Sequence, residues 1–174
     1  MTTAPNRDRR IMTWRGDITP INRLWGSLPY LLPLVSALPL GFLPSGLFQS
    51  LPGLIPIFAP LFRLVPLATG WLGMGVFLAL LFLVIRNTRV AHFVRFNTIQ
   101  ALLLNIALFL VQVLMQAFGI LFGNLGLAAM VSILATTALL GVIAITVYAW
   151  VQNIRGHYAE VPVLSDAAYA WIRY

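Results

Sequence analysis

The chain has 174 residues, of which 60% are hydrophobic and only 9% charged, against about 25% charged in ordinary soluble domains. A chain so poor in charge has too little polar surface to cover a globule in water, so lipid must solvate most of it. The absence of Cys excludes disulfides, thiolate nucleophiles and zinc–thiolate or iron–sulfur sites.

The net charge of +7 comes from 11 basic and 4 acidic residues, and every basic residue is Arg. Nucleic-acid binders carry a dense basic stripe on a soluble scaffold. Here the arginines instead punctuate apolar blocks, where they orient spans and meet lipid phosphates. No nucleic-acid partner is therefore expected.

Residues 24–62, 64–85 and 96–154 contain no charged side chain, which predicts an all-α, multi-pass membrane domain over 24–154. It would be preceded by an Arg-rich tail, 1–23, and followed by a tail, 155–174. A first span is expected at 24–43, kinked by Pro29, Pro33 and Pro39, since membrane helices tolerate proline where neighbours satisfy the freed carbonyls. Its basic approach and small residues Ser36 and Ala37 also resemble a cleaved signal, but two prolines in the apolar stretch and the long basic region argue against that. Residues 45–62 carry Pro52, Pro56 and Pro60; they are too broken for a regular span and too apolar for a free loop. An interfacial or shallow re-entrant segment fits both facts.

A second span is predicted at 64–85, with Gly70, Gly73 and Gly75 before an apolar run from Val76 to Ile85. The third block, 59 residues long, breaks at Gly123-Asn124-Leu125-Gly126. It reads as a helical hairpin with spans at 97–122 and 127–153. With four spans, ten arginines lie on one side and Arg63 alone on the other. The positive-inside rule then places both termini in the cytoplasm or its organellar equivalent. A three-span alternative would separate the tails and lose this asymmetry.

Nothing in the sequence suggests an enzyme, a cofactor or a metal site. Asp8, Asp17, Glu160 and Asp166 all fall in the tails, and no ionisable residue sits inside a predicted span. The spans do hold amides. On the third, Asn105, Gln112 and Gln116 fall within about 40° of one another at about 100° per residue, a polar stripe that either hydrogen-bonds neighbouring helices or lines a path for a polar chain. On the fourth, Ser132, Ala135 and Thr136 share a small-residue face with Ala128, while Thr137, Gly141 and Ala144 form a roughly opposite one. Such a helix is expected to pack on both sides, inside the bundle or between protomers. Around the start of the third span, Arg86, Arg89, His92, Arg95, Asn97 and Gln100 form a candidate contact surface for a partner or a moving polypeptide.

Several stretches carry a family resemblance: Leu28-Pro29-Tyr30-Leu31-Leu32-Pro33, Arg86-Asn87, the long run from His92-Phe93-Val94-Arg95-Phe96-Asn97-Thr98-Ile99-Gln100 to Ile106, and Val161-Pro162-Val163-Leu164-Ser165-Asp166-Ala167-Ala168. In these the chain resembles the Tic-twenty family, the twenty-kilodalton membrane subunit of the translocon at the inner chloroplast envelope, and its cyanobacterial relatives. The resemblance implies four helices with both ends cytoplasmic or stromal, in a cyanobacterial plasma or thylakoid membrane or the plastid inner envelope. It also implies a non-enzymatic role in moving precursor polypeptides, with other translocon subunits or further copies of itself as partners. Where the family often has an acidic residue early in the third helix, this chain has Asn105, so no role needing a charge there carries over. A small-solute channel or carrier and a scaffold for other membrane complexes are the alternative functions.

Overall fold

The structure is a computed structural model, described here over residues 18–122, 128–161 and 164–172; these residues form helices and turns, with no strand among them. Helix α1, Pro20–Phe42, opens where Thr19 Oγ1 accepts the Asn22 amide at 3.3 Å and Pro20 takes the first helical position, where its missing N–H costs nothing. Its prolines do not break it. Instead it tightens into 3₁₀ turns at Leu28–Tyr30 and Leu38–Phe42 around Pro29 and Pro39, and residues 32–38 are all buried.

Short helices α2, Leu47–Ser50, and α3, Pro52–Phe62, follow. Phe48, 1% exposed, stacks with Phe42, Phe58 and Phe62 at ring separations of 5.0–5.6 Å and pins both helices back onto the end of α1. Aromatic pairs at this spacing hold without any transfer out of water, which lipid would not reward.

The predicted second span, 64–85, is interrupted. A single turn, α4, Val65–Ala68, ends at Thr69, and α5, Gly70–Ile85, restarts from it with a π-helical last turn over Leu80–Ile85. Two glycines make the break. Gly70 has φ +59°, in the left-handed region, and at Gly73 a β-carbon would lie 2.4 Å from the Ala68 carbonyl oxygen. Thr69 Oγ1 donates to the Val65 carbonyl at 2.8 Å, taking up one of the groups the break frees. What remains, α5, is shorter than the about 20 residues that a crossing helix needs.

Helix α6, His92–Phe122, begins five residues before the predicted 97, and α7 runs Ala128–Arg155. The Gly123–Gly126 turn between them lies outside the described residues. The tail expected after 155 contains an unforeseen helix, α8, Leu164–Ile172. Helix α6 is the hub, packing against α1, α5, α7 and α8. Three helices, α1, α6 and α7, are long and apolar enough to cross a membrane. Two-thirds of α1 is enclosed, whereas α6 and α7 turn large apolar faces outward, Phe109 and Leu114 on one, Ile133 and Leu140 on the other.

Among the described residues, only one of the two small faces on α7 is packed against the rest of the chain. Ser132, Ala135, Leu139, Val142, Thr146, Ala149 and Asn153 recur every three or four residues and are all buried. Thr137, Gly141 and Ala144 face outward.

Candidate functional site: a cleft at the broken helix

Hydrogen bonds between backbone and side chains fix which ends meet. Arg23 donates to the Ile154 carbonyl at 3.0 Å, Trp150 Nε1 to the Ser27 carbonyl at 3.0 Å, and Arg95 Nε to the Ile85 carbonyl at 2.9 Å. The start of α1, the end of α5, the start of α6 and the end of α7 therefore share one end of the bundle. Of the described arginines, Arg23, Arg86, Arg89, Arg95 and Arg155 belong to this end or the loop at it, while Arg63 stands apart between α3 and α4.

The candidate contact residues at this end divide. Asn97 and Gln100 are sealed inside, each 0% exposed. Tyr30 Oη donates to Gln100 Oε1 at 2.8 Å and lies 3.4 Å from Asn97 Oδ1; Gln100 Nε2 donates to Ser165 Oγ at 2.8 Å, which passes its own proton to the Val161 carbonyl at 2.7 Å. Asn97 Nδ2 donates to Phe93 O at 2.9 Å. Their expected place on a contact surface is corrected by this burial: these amides tie α1, α6 and α8 together. His92 joins the same task, 3.1 Å from the Tyr158 hydroxyl, whose ring packs against Phe93 and Phe96. Arg86 and Arg89 remain exposed, Arg86 over the Phe82 ring at 5.7 Å.

The amide stripe farther along α6 also divides. Gln112 Nε2 donates to the Ser36 carbonyl at 3.2 Å, and Ser36 Oγ donates to the Ala68 carbonyl at 2.9 Å, so α6, α1 and α4 meet at the level of the break. There a cleft of about 490 Å³ opens between the break and α6, bordered by Ser36, Thr69, Gly70, Trp71, Asn105 and Gln112 among others. Asn105 Oδ1 is buried and has no hydrogen-bond partner. A buried amide oxygen without a donor is costly and so marks a place where a ligand's N–H or O–H would be welcome. Gln116, one turn on, is exposed and does not line the cleft, so the stripe joins only two of its three members there.

Irregular backbone inside a membrane domain is tolerated where it is buried in protein or lines a cavity; the half-buried Thr69 and the exposed Gly70 meet the second condition, bordering the cleft. Sequence reasoning found the amides and missed their setting. Gly70, Gly73 and Gly75 were visible as small residues; that two of them permit a left-handed turn and a close backbone approach was the available signal. Tyr30 and Ser165, 70 and 65 residues from Gln100, gave none.

The family described as "Chloroplast import apparatus Tic20-like" matches residues 20–168, most of the chain, from the first residue of α1 into α8. The chain belongs to this Tic20-like family. A "Tic20 family protein" of Synechocystis sp. (strain ATCC 27184 / PCC 6803 / Kazusa) is 32% identical to it over 164 residues, which cover 88% of this chain and 94% of the relative. With three apolar helices of spanning length, this Tic20-like chain is a membrane protein. The match takes in the cleft and the Tyr30–Gln100–Ser165 network alike.

Proposed function

We propose that this chain is a non-enzymatic membrane subunit of a protein-translocation assembly, and that the cleft at the helix break is where it touches a polypeptide in transit. The carrying observation is the unpartnered Asn105 Oδ1 beside Gln112 at the break. A polypeptide crossing lipid brings backbone N–H groups that need acceptors, each costing several kcal/mol if left unmet, and Asn105 offers one at that depth. Membership in a family described as import apparatus supports the same reading.

In this reading α4 and α5 together form a broken second crossing, giving four in all, with 45–62 an interfacial or shallow re-entrant segment at the end opposite the arginine cluster. Both termini then lie on the arginine-rich, cytoplasmic or stromal side. Four helices cannot enclose a pore wide enough for a polypeptide, so the path is completed by further copies or by other subunits. The outward Thr137, Gly141 and Ala144 face of α7 would let a neighbouring helix approach closely.

Asn105→Leu separates function from folding. Since Asn105 Oδ1 has no partner to lose, the variant should unfold at the same temperature as the parent or higher. Precursor transport should fall by about threefold to twentyfold, the worth of one polar contact of about 0.6–1.7 kcal/mol in a membrane, and Gln116→Leu should transport normally. Normal transport by Asn105→Leu, measured in cells that lack the native chain, would remove the cleft from the path.

A further inference from the structure

The apolar walls of the bundle differ in height. Helix α5 has ten α-helical residues and a six-residue π-helical turn, which at about 1.5 Å per residue reach about 24 Å at most. Helix α4 adds nothing to that reach. A β-carbon on Gly73 would stand 3.4 Å from the Ala68 α-carbon, whereas a continuous helix would set the two residues about 7.5 Å apart along its axis. The chain has therefore turned back at Thr69–Gly70, and Leu64 and Leu67 line one groove with Val76 and Leu80 of α5.

Both ends of α5 carry residues that belong at headgroup level. Arg86 follows its last residue and is exposed. At the other end Trp71, in the first turn, is 87% exposed. The exposed Arg63 precedes Leu64, which already shares the groove with Val76. A charge is costly in hydrocarbon and Trp favours the interface, so headgroups must come to this level beside α5. Tilt of α5 would only shorten its reach. Elsewhere the wall is taller. Gln112 of α6 is level with the break, tied to it through Ser36 and Ala68. Exposed apolar residues nonetheless continue along α6 through Leu114 and Phe118 to Ile120, about 12 Å farther. On α7 they run from Met130 to Ile154, about 36 Å. With a hydrocarbon core of about 30 Å, no flat bilayer matches both walls.

We infer that the chain thins the bilayer along α5 to about 24 Å, with Arg63 and Trp71 drawing one headgroup layer down to the break. Thinning is one of the ways a bilayer accommodates a helix too short for its core. A polypeptide crossing beside α5 then meets about 6 Å less hydrocarbon, and the cleft, which Trp71 borders, opens at the membrane surface. The inference rests on the reading of α5 as a crossing and not on what the cleft binds.

Because the chain lacks Cys, single spin labels can report depth. Leu72→Cys lies in the first turn of α5, Leu83→Cys in its last, and Leu114→Cys on α6 just past Gln112; all three positions face outward. The full-length chain is placed in phosphatidylcholine vesicles with a core of about 30 Å, and depth is read from accessibility to oxygen against a water-soluble nickel chelate. In a flat bilayer the label at 114, farther along the bundle, would be no deeper than that at 72. Thinning instead puts 72 at headgroup level, about 6 Å shallower than 114, with 83 near the opposite headgroups. Arg63→Leu combined with Trp71→Leu, both exposed changes, should sink 72 to the depth of 114 while 83 stays and the unfolding temperature holds. Equal depths at 72 and 114 in the parent chain would overturn the inference. So would a shallow 72 with a deepened 83, which is a tilted bundle, or an unmoved 72 in the double variant, which removes Arg63 and Trp71 as the cause. Each of these results leaves the transport reading standing, since Asn105→Leu tests that separately.

Discussion

Gly73→Ala should destabilise the protein while Gly75→Ala, two residues along the same helix, should not. The pair isolates the break in α5. At Gly75 an added methyl group meets nothing within 4 Å, and a helical glycine replaced by alanine gains up to about 1 kcal/mol. At Gly73 the same gain is available, but the methyl carbon would stand 2.4 Å from the Ala68 carbonyl oxygen and 2.5 Å from its carbon. Backbone cannot rotate aside as a side chain can, so α4 must swing off α5, and the cost lies at the upper end of the about 1–3 kcal/mol typical of overpacking. Moving α4 also strips Ser36 Oγ of its acceptor, Ala68 O, and pulls apart the wall of the cleft. Thermal unfolding of the two purified variants in detergent should therefore separate them by about 3 kcal/mol. Gly73→Ala should also lose transport. Equal stability of the two variants would mean that α4 does not sit over Gly73.

Gln100→Leu should release the C-terminal helix. Gln100 both accepts from Tyr30 and donates to Ser165, so one substitution removes the link between α1 and α8 and leaves the Tyr30 hydroxyl in an apolar interior without its acceptor at 2.8 Å. Asn97 Oδ1, 3.4 Å away, is the acceptor left to Tyr30, so the cost falls toward the lower end of the about 1–3 kcal/mol of an orphaned buried group. Tyr30→Phe should cost less, because Gln100 keeps Ser165, and Ser165→Ala less again, because Tyr30 keeps Gln100. Hydrogen exchange read peptide by peptide locates the effect: amides of 164–172 should exchange at least about tenfold faster in Gln100→Leu, while those of α7 change little. Unchanged exchange over 164–172 would show that α8 is held by its apolar contacts, Ala168 against Phe96, Ile99 and Leu102, rather than by the amide.

The sequence disclosed the apolar blocks, the two long helices α6 and α7 and, for the described arginines other than Arg63, their grouping at one end, because these depend on composition along the chain and on a period of 3.6. It did not show that the predicted second span, 64–85, is interrupted at Thr69–Gly70. Length and hydropathy treat Leu64–Ile85 as uniform, and neither registers that Gly70 turns left-handed or that Gly73 admits a carbonyl. The amide stripe shows the same division. Angular position on α6 correctly grouped Asn105, Gln112 and Gln116, but only the helix packed opposite decides which of them meets a cavity, and α5 reaches the level of Gln112 and stops before Gln116. Asn97 and Gln100 looked like surface residues beside three arginines, and their burial depends on Tyr30 and Ser165, partners that no local pattern could join to them. Proline counts misled least: they marked 45–62 as too broken for a regular span, and the chain there forms only the short helices α2 and α3, although the aromatic cluster that pins those helices is a tertiary fact.

The central claim is that the cleft at the break faces a polypeptide in transit. A photo-crosslinking amino acid at Gln112, with Gln116 as its neighbour outside the cleft, tests this most directly in living cells that depend on the chain. Adducts from position 112 to many unrelated precursor segments, with adducts from 116 confined to lipid or to resident membrane proteins, are the predicted result. Adducts from 112 only to this chain itself, or to one or two resident subunits, would contradict it and make the amides packing contacts within a scaffold.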